Sequence, residues 1–391
     1  MTTNSPLPQH YNAIIIGGGG AGLNLLWALM KTSFCNNNSV LIIEPEAKNT
    51  NDRTWCFWAK NADPIVQDFK HIIYHVWSNT WVNNKIKNLG PYHYYHLQSS
   101  DFYAFVQNES NNYASIFKLQ DTVSELKGKQ VFTTNGSSFT ADYIFDSRLP
   151  HQQETPKTTV PTNILWQSFF GYTVQLDSSD LDPQTIHMMN FDIAQNNQCQ
   201  FVYLLPFSSN KALIEITRFG ETCLSAEKDG ALLEEWIEKH VGKFTILEKE
   251  EGKIPMDLCY NPRNKTHRLK TTTIPIGTSA GNVKCTTGYA FHSIYNHSFA
   301  IAQALNSKKE IPQAYHKKRF AFYDGLLLHI LRNKPNEGKR IFTQLFQKVK
   351  LPRVLLFLDE QTTIWNEIPL LWSLPKKLFI SSLFSKILRK N

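Results

Sequence analysis

Asn12-Ala-Ile-Ile-Ile-Gly-Gly-Gly-Gly-Ala-Gly22, followed by an apolar stretch from Leu23 to about Thr32 and then by Val40-Leu-Ile-Ile-Glu44, decides the fold. The run Ile14–Ile16 reads as a buried strand, and Gly17, Gly19 and Gly22 fall at G-x-G-x-x-G spacing directly behind it. The first glycine permits a tight turn, the second lets a pyrophosphate approach the backbone, and the third lets helix and strand pack closely. The helix that starts there offers free N–H groups to the phosphates. Glu44, at the end of a second strand, is the carboxylate that accepts from ribose hydroxyls. Strand, glycine turn, helix, strand and acid in this order predict a dinucleotide-binding βαβ unit, a geometry that both FAD and NAD satisfy.

Outward from this unit, an insert covers residues 51–98, the segment Asn49–Asn61 is polar at first and then aromatic, and Ser99-Ser-Asp101 caps a helix carrying Phe102, Phe105 and Val106. Strands are predicted over Tyr113–Leu119, Gln130–Thr134 and Asp142–Asp146, the last one buried. From about 155 to 268 the pattern changes to strands over Phe169–Leu176, His187–Asp192, Phe201–Leu205 and Ala212–Phe219, with one helix over Ala231–His240. Thr273–Ile276 reads as a strand returning to the first unit, followed by a helix from Phe291 to Leu305. The expected fold class is therefore α/β: a Rossmann-like domain over residues 1–150 and 270–310, an inserted antiparallel sheet over 155–268 that takes the substrate, and a helical C-terminal region over 311–391.

Aromatic residues make up 13% of the 391 residues, an excess that either fills a core or serves a large apolar ligand. The net charge of +8 is dispersed, without an RNP, zinc-finger or helix-turn-helix pattern, so nucleic acid is not an expected partner. The six cysteines contain no C-x-x-C pair, so neither a disulfide framework nor a metal site is expected. Residues 1–11 lack a signal-peptide pattern and no run of eighteen apolar residues occurs, which together predict a cytoplasmic protein.

Three further segments carry a resemblance. Asn51-Asp-Arg-Thr-Trp-Cys-Phe-Trp58, the pair Phe201–Pro206 and Ala212–Ile216, and Cys285-Thr-Thr-Gly-Tyr289 resemble the signatures of bacterial lycopene beta-cyclases between about residues 10 and 306. The resemblance implies the fold of FAD-containing aromatic hydroxylases and FAD bound in reduced form, with NADPH as reductant. It implies lycopene and related acyclic carotenes as substrates, and ψ-ends closed to β-ionone rings without net redox change. Hydroxylases carry Gly-Asp where this chain has Gly277-Thr278, so Gly281, Thr287 and Gly288 are expected to hold the flavin by other contacts.

The resemblance implies an essential acid at Glu215, with either Glu215 or the flavin as the immediate proton donor. Its strand is apolar on both faces, with Leu213, Glu215, Thr217 and Phe219 on one and Ala212, Ile214 and Ile216 on the other. A carboxyl in such surroundings stays protonated at neutral pH. An ion pair with Arg218 is the alternative. Arg53 is expected beside the flavin, and Arg148 is a further candidate contact. Trp55 and Phe57 are either polyene contacts or core aromatics, and Asp192 is either an acid near the substrate or a turn residue.

Phe320–Leu331, Val354–Leu358 and Leu378–Leu388 combine apolar residues with Lys317, Lys318, Arg319, Lys376, Lys377, Lys386 and Arg389. They are expected to lie on an anionic membrane surface, ordinary helix packing being the alternative. Two rivals to a cyclase remain at this stage: an FAD-dependent monooxygenase of an isoprenoid or aromatic substrate, and a non-catalytic carotenoid- or flavin-binding protein.

Overall fold

Ile14, Ile15 and Ile16 are buried because the strand His10–Ile16 runs through the middle of a seven-stranded sheet. The computed structural model describes residues 7–149, 164–178, 180–256, 273–314 and 317–388. Across this sheet lie Ile116–Leu119, Val40–Ile43, His10–Ile16 and Ser138–Asp146, all parallel, then Gln130–Thr133 and Val123–Lys127 as an antiparallel meander. Thr273–Pro275 pairs in parallel with Ser138–Asp146. The side chains of Ala13 and Ile15 pack under the helices Gly20–Lys31 and Phe291–Asn306, whereas Tyr11, Ile14 and Ile16 fill the opposite face with Val131 and Phe139.

A second seven-stranded sheet runs Phe244–Pro255, Trp166–Leu176, Lys211–Gly220, Cys199–Pro206, Thr185–Asn190, Asn79–Val82 and Lys85–Asn88. Its Ile214 face packs on the helix Ala226–His240 through Phe170, Val202, Leu233 and Trp236. The other face meets the C-terminal helices Lys318–Asn333, Glu337–Lys348 and Leu351–Leu358, with Phe342 against Phe191 and Phe219. Two further helices, Ile364–Ser373 and Lys376–Leu388, end the described chain. The insert forms a small antiparallel sheet of Thr54–Ala59, His93–Gln98 and Ile73–Trp77, and its hairpin Asn79–Asn88 joins the edge of the second sheet. The class is thus α/β, a Rossmann-like domain with an inserted, mainly antiparallel sheet and a helical C-terminal region.

Several elements differ from expectation for local reasons. Residues 113–115 are turn, so that strand begins at Ile116. The strand expected over His187–Asp192 is Thr185–Asn190, ended by the Asn190 side chain accepting from the Asp192 N–H (2.9 Å). In Ser138–Asp146 only the last three residues of Asp142–Asp146 are buried, Tyr143 being 39% exposed. The helix expected from Ala231 starts at Ala226, where the Ser225 hydroxyl accepts from the Lys228 N–H. The strand Phe244–Pro255, rich in charge, was not expected at all.

The membrane-facing expectation needs correction in its residues. Phe320, Leu331, Val354 and Leu355 are buried, so the first two expected segments turn their apolar faces inward onto the second sheet and the neighbouring helices. Leu378 is buried too, while Ile380 and Phe384 are exposed. Arg389 lies outside the described residues.

Candidate active site

The turn after Ile16 is built as its glycines require. Gly17 has φ +97°, which favours glycine, and its N–H donates to the Ile43 carbonyl (2.9 Å). A Cβ at Gly22 would overlap the Gly17 carbonyl oxygen, and one at Gly19 would meet nothing. The open side of Gly19 faces a cavity of about 790 Å³ lined also by Gly17, Gly20 and Glu44. The Glu44 carboxylate accepts from Gly18 N–H (2.5 Å) and Glu46 N–H (3.1 Å), which fixes it at the strand end.

The same cavity reaches Arg53, Trp55, Arg148, Thr287, Gly288, Glu215 and Glu250. Trp55 stacks on Phe291 (5.0 Å between ring centres) and borders Gly20. Arg53 donates from Nη1 to the Asp52 carbonyl (2.8 Å), and Arg148 is held by Asp146 (2.9 Å) and the Val123 carbonyl. The loop Lys284–Tyr289 is closed by N–H bonds from Thr287 and Gly288 to the Lys284 carbonyl. Thr287 Oγ1 and Gln167 Oε1 are buried with no partner beside this cavity. Open glycine backbone, an acid at the strand end and unsatisfied polar atoms fit a bound dinucleotide such as FAD.

Gly22 is buried in the packing of helix on strand and does not line the cavity, and three other expected residues lie elsewhere. Gly281 forms a left-handed turn (φ +88°) after the short helix Gly277–Ala280 and does not line the cavity, whereas Thr278 does. Phe57 is buried between Tyr95 and Phe291 and borders a separate cavity of about 150 Å³. Asp192 is on the surface, its side chain 68% exposed, 3.5 Å from His240; its strand ends two residues earlier, so the carboxylate turns to solvent.

Glu215 points from the centre of the second sheet into the cavity. Arg218 does not pair with it: that side chain emerges on the opposite face and binds Asp229 (2.6 Å) and Gln200 (2.9 Å). The Thr217 hydroxyl donates to Glu215 Oε1 (2.8 Å). Glu250, on the edge strand, lies beside Glu215 and accepts from the Thr54 hydroxyl (2.6 Å). Burial raises the Glu215 carboxyl well above the ordinary carboxylate range, and the neighbouring Glu250 charge adds to it. Burial raises Glu250 too, against the pull of Thr54. Above the pair, the Tyr94 and Tyr289 hydroxyls are 2.7 Å apart and Tyr203 completes the cluster; burial keeps all three phenols neutral. The Lys284 ammonium at the root of the Tyr289 loop is buried against Asp324 (2.9 Å) and Glu360 (3.1 Å).

Glu250, Thr54, Tyr94 and Tyr203 were not found from sequence. The run Glu248–Lys253 reads as a solvated charged stretch, and only pairing with Trp166–Leu176 brings one of its carboxylates inside.

A Rossmann-like domain with an inserted, mainly antiparallel sheet is a fold class that solved flavoproteins share. The fold is shared with a geranylgeranyl bacteriochlorophyll reductase-like protein from Thermoplasma acidophilum (TM-score 0.60, 14% identity, 95% of this chain and 98% of that one). A flavoprotein/dehydrogenase from Cytophaga hutchinsonii is similar too (TM-score 0.58, 10% identity, 96% and 100%), as is a flavin-dependent brominase (TM-score 0.54, 13% identity, 98% and 100%). Within that class the chain belongs to the lycopene cyclase protein family, which matches residues 12–383. A lycopene beta-cyclase from Paracoccus sp. (strain N81106 / MBIC 01143) is 26% identical over 132 residues, a stretch spanning 32% of this chain and 32% of that enzyme.

Proposed function

We propose that this chain is a lycopene beta-cyclase, an intramolecular lyase that binds FAD in reduced form, takes NADPH as reductant and closes the ψ-ends of lycopene to β-ionone rings, giving γ-carotene and β-carotene. The observation that carries the reading is Glu215, a carboxylic acid kept protonated by burial and facing the cavity that begins at the glycine turn. Carbocation chemistry requires one strong donor in dry surroundings, and Trp55, Tyr94, Tyr203 and Tyr289 give the cavity aromatic walls. The Glu215 proton goes to the terminal double bond and leaves a tertiary cation. The electron pair of the neighbouring double bond closes the ring, and a ring proton departs to restore a double bond. Reduced FAD, when bound, supplies negative charge beside that cation. Gly17, Gly19, Gly22 and Glu44 would hold its ADP half, and Arg53, Thr287 and Gly288 its flavin end.

The substrate is insoluble in water, and the helix Ile364–Ser373 leaves Ile364, Trp365, Ile368, Leu371 and Trp372 exposed, beside Ile380 and Phe384. Arg340, Lys348, Lys376 and Lys377 line a groove next to Ile368 and Trp372. Apolar residues edged by basic ones fit the surface of an anionic bilayer, so the enzyme sits on that surface. Among the described residues no helix is long and apolar enough to cross a membrane.

Expression in cells that accumulate lycopene tests the function. Conversion to β-carotene is expected, and Glu215→Gln should abolish it with FAD still bound, removal of a general acid costing at least ~100-fold. Persisting lycopene with folded, flavin-loaded protein would overturn the reading. Stoichiometric consumption of NADPH and oxygen would point to a monooxygenase instead.

A further inference from the structure

Cyclisation takes up one proton and releases one, and the cyclase reading, on which this inference rests, names a single acid for it. The sheet supplies a second carboxyl by a specific device. Gly171 lies opposite Glu215 on one side and opposite Glu250 on the other, so the three residues form one row across three strands, with Tyr203 next to Glu215 as the fourth member. Side chains on adjacent strands stand about 5 Å apart and those two strands apart about 10 Å, with the middle side chain normally between them. At 171 there is no side chain. A Cβ there would lie 3.1 Å from Glu215 Cβ and 3.0 Å from the Ile214 carbonyl oxygen, and in its absence the two glutamates lean together.

Each carboxyl is anchored on one oxygen, Glu215 Oε1 by Thr217 (2.8 Å) and Glu250 Oε2 by Thr54 (2.6 Å). Glu250 Oε1 is then buried without a donor, unless a proton lies between the two carboxyls. Two carboxylates in contact cannot both hold full charge in such surroundings. The Arg53 charge acts on Glu250 and favours the anion there.

We propose that Glu215 and Glu250 form a one-proton carboxyl pair joined across Gly171, in which the negative charge on Glu250 keeps the proton on Glu215 until the substrate takes it. When the proton passes to the terminal double bond, both carboxyls are ionised and the new carbocation is their counter-charge. The C–H bond broken on forming the ring double bond returns one proton to the pair. Nothing is oxidised, reduced or consumed, and the pair is ready for the second end of the polyene. Glu250 acts through Glu215 and is a positioning residue.

The groups facing the pair are Thr54, Arg53, Cys56, Tyr94, Thr217, Tyr203 and Tyr289, with Glu248 further along the edge strand. Arg53 and Glu248 are the charged side chains of this set, and Lys211 and Lys249 line a small cavity that Glu250 also borders. The test compares flavin-loaded wild type, Glu250→Gln, Glu215→Gln and Gly171→Ala by the pH dependence of cyclisation. A second readout, the infrared carbonyl band of the protonated carboxyl titrated without substrate, needs no turnover. Glu250→Gln removes the neighbouring charge, so the alkaline fall in rate and the loss of the band should both move down by about one to two pH units, a loss of rate of about tenfold to a hundredfold at pH values above the wild-type midpoint. Gly171→Ala, which pushes the carboxyls apart, should move both the same way, and decides the matter if Glu250→Gln does not fold. An unmoved alkaline limb and an unmoved band would overturn the pair. Full activity in Glu215→Gln would instead overturn the cyclase assignment of Glu215, while the band would still report whether the pair exists.

Discussion

Replacing Trp365 and Trp372 by alanine should detach the protein from lipid. The two indoles are 81% and 71% exposed on one side of the helix Ile364–Ser373, and Lys376 Nζ sits 3.2 Å above the Trp372 ring. A Trp side chain offers about 200 Å² of surface; if about 80 Å² of each leaves water at the headgroup boundary, ~25 cal/mol per Å² gives about 2 kcal/mol per ring. That is about 30-fold in partitioning for each single variant and close to a thousandfold for the double one. Sedimentation with vesicles of phosphatidylcholine and phosphatidylglycerol measures it directly, with flavin absorbance confirming a folded protein. Lys348, Lys376 and Lys377 add about 1 kcal/mol each at low salt, so wild-type binding should weaken as salt rises. A double variant that binds vesicles within threefold of wild type would refute this face as the lipid contact.

Two other perturbations have defined outcomes. Gly22→Ala places a methyl group on the Gly17 carbonyl oxygen, so flavin retained per protein after desalting should drop at least tenfold while the second sheet still folds; undiminished flavin absorbance would contradict the assigned turn. Burial lifts the Asp359 carboxyl, which accepts from Trp58 Nε1 (2.7 Å), to about 7. Because the folded state then binds the proton more tightly than the unfolded chain, this group's contribution is full at low pH and is lost as pH rises from about 4 through 7. Three pH units correspond to at most ~4 kcal/mol, and partial solvent contact reduces that to about 2. Asp359→Asn should therefore be more stable than wild type at pH 8 and no different near pH 4; a pH-independent difference in thermal unfolding would show the assigned ionisation to be wrong.

The glycine turn is readable from sequence because every signal for it is local: β-branched strand, glycines at fixed spacing, helix and acid within 35 residues. The strand carrying Glu215 is readable for the same reason, its alternation marking which side chains share a face. What stays hidden depends on register. Glu250 meets Glu215 only because Gly171 stands between them in the sheet, and no local pattern in three separated segments encodes that row. The C-terminal helices mislead because apolar residues near lysines look alike whether they face lipid or protein. Phe320 and Val354 are buried, while the exposed Trp365 and Trp372 sit in a helix interrupted by Pro369 that has no distinguishing charge pattern. Asp192 shows the same limit: the acid follows a strand, but the turn made by Asn190 sends it outward.

The Lys284 ammonium joins two parts of the molecule. Its bonds to Asp324 and Glu360 belong to the C-terminal helical region, and five residues further on its own loop delivers Tyr289 to the acid pair. Pulling either partner away would strand a charge in dry protein, at a penalty of ~3–5 kcal/mol, which thermal motion rarely supplies. The roof of the cavity beside Glu215 and the helical segments that carry Asp324 and Glu360 therefore move as one piece.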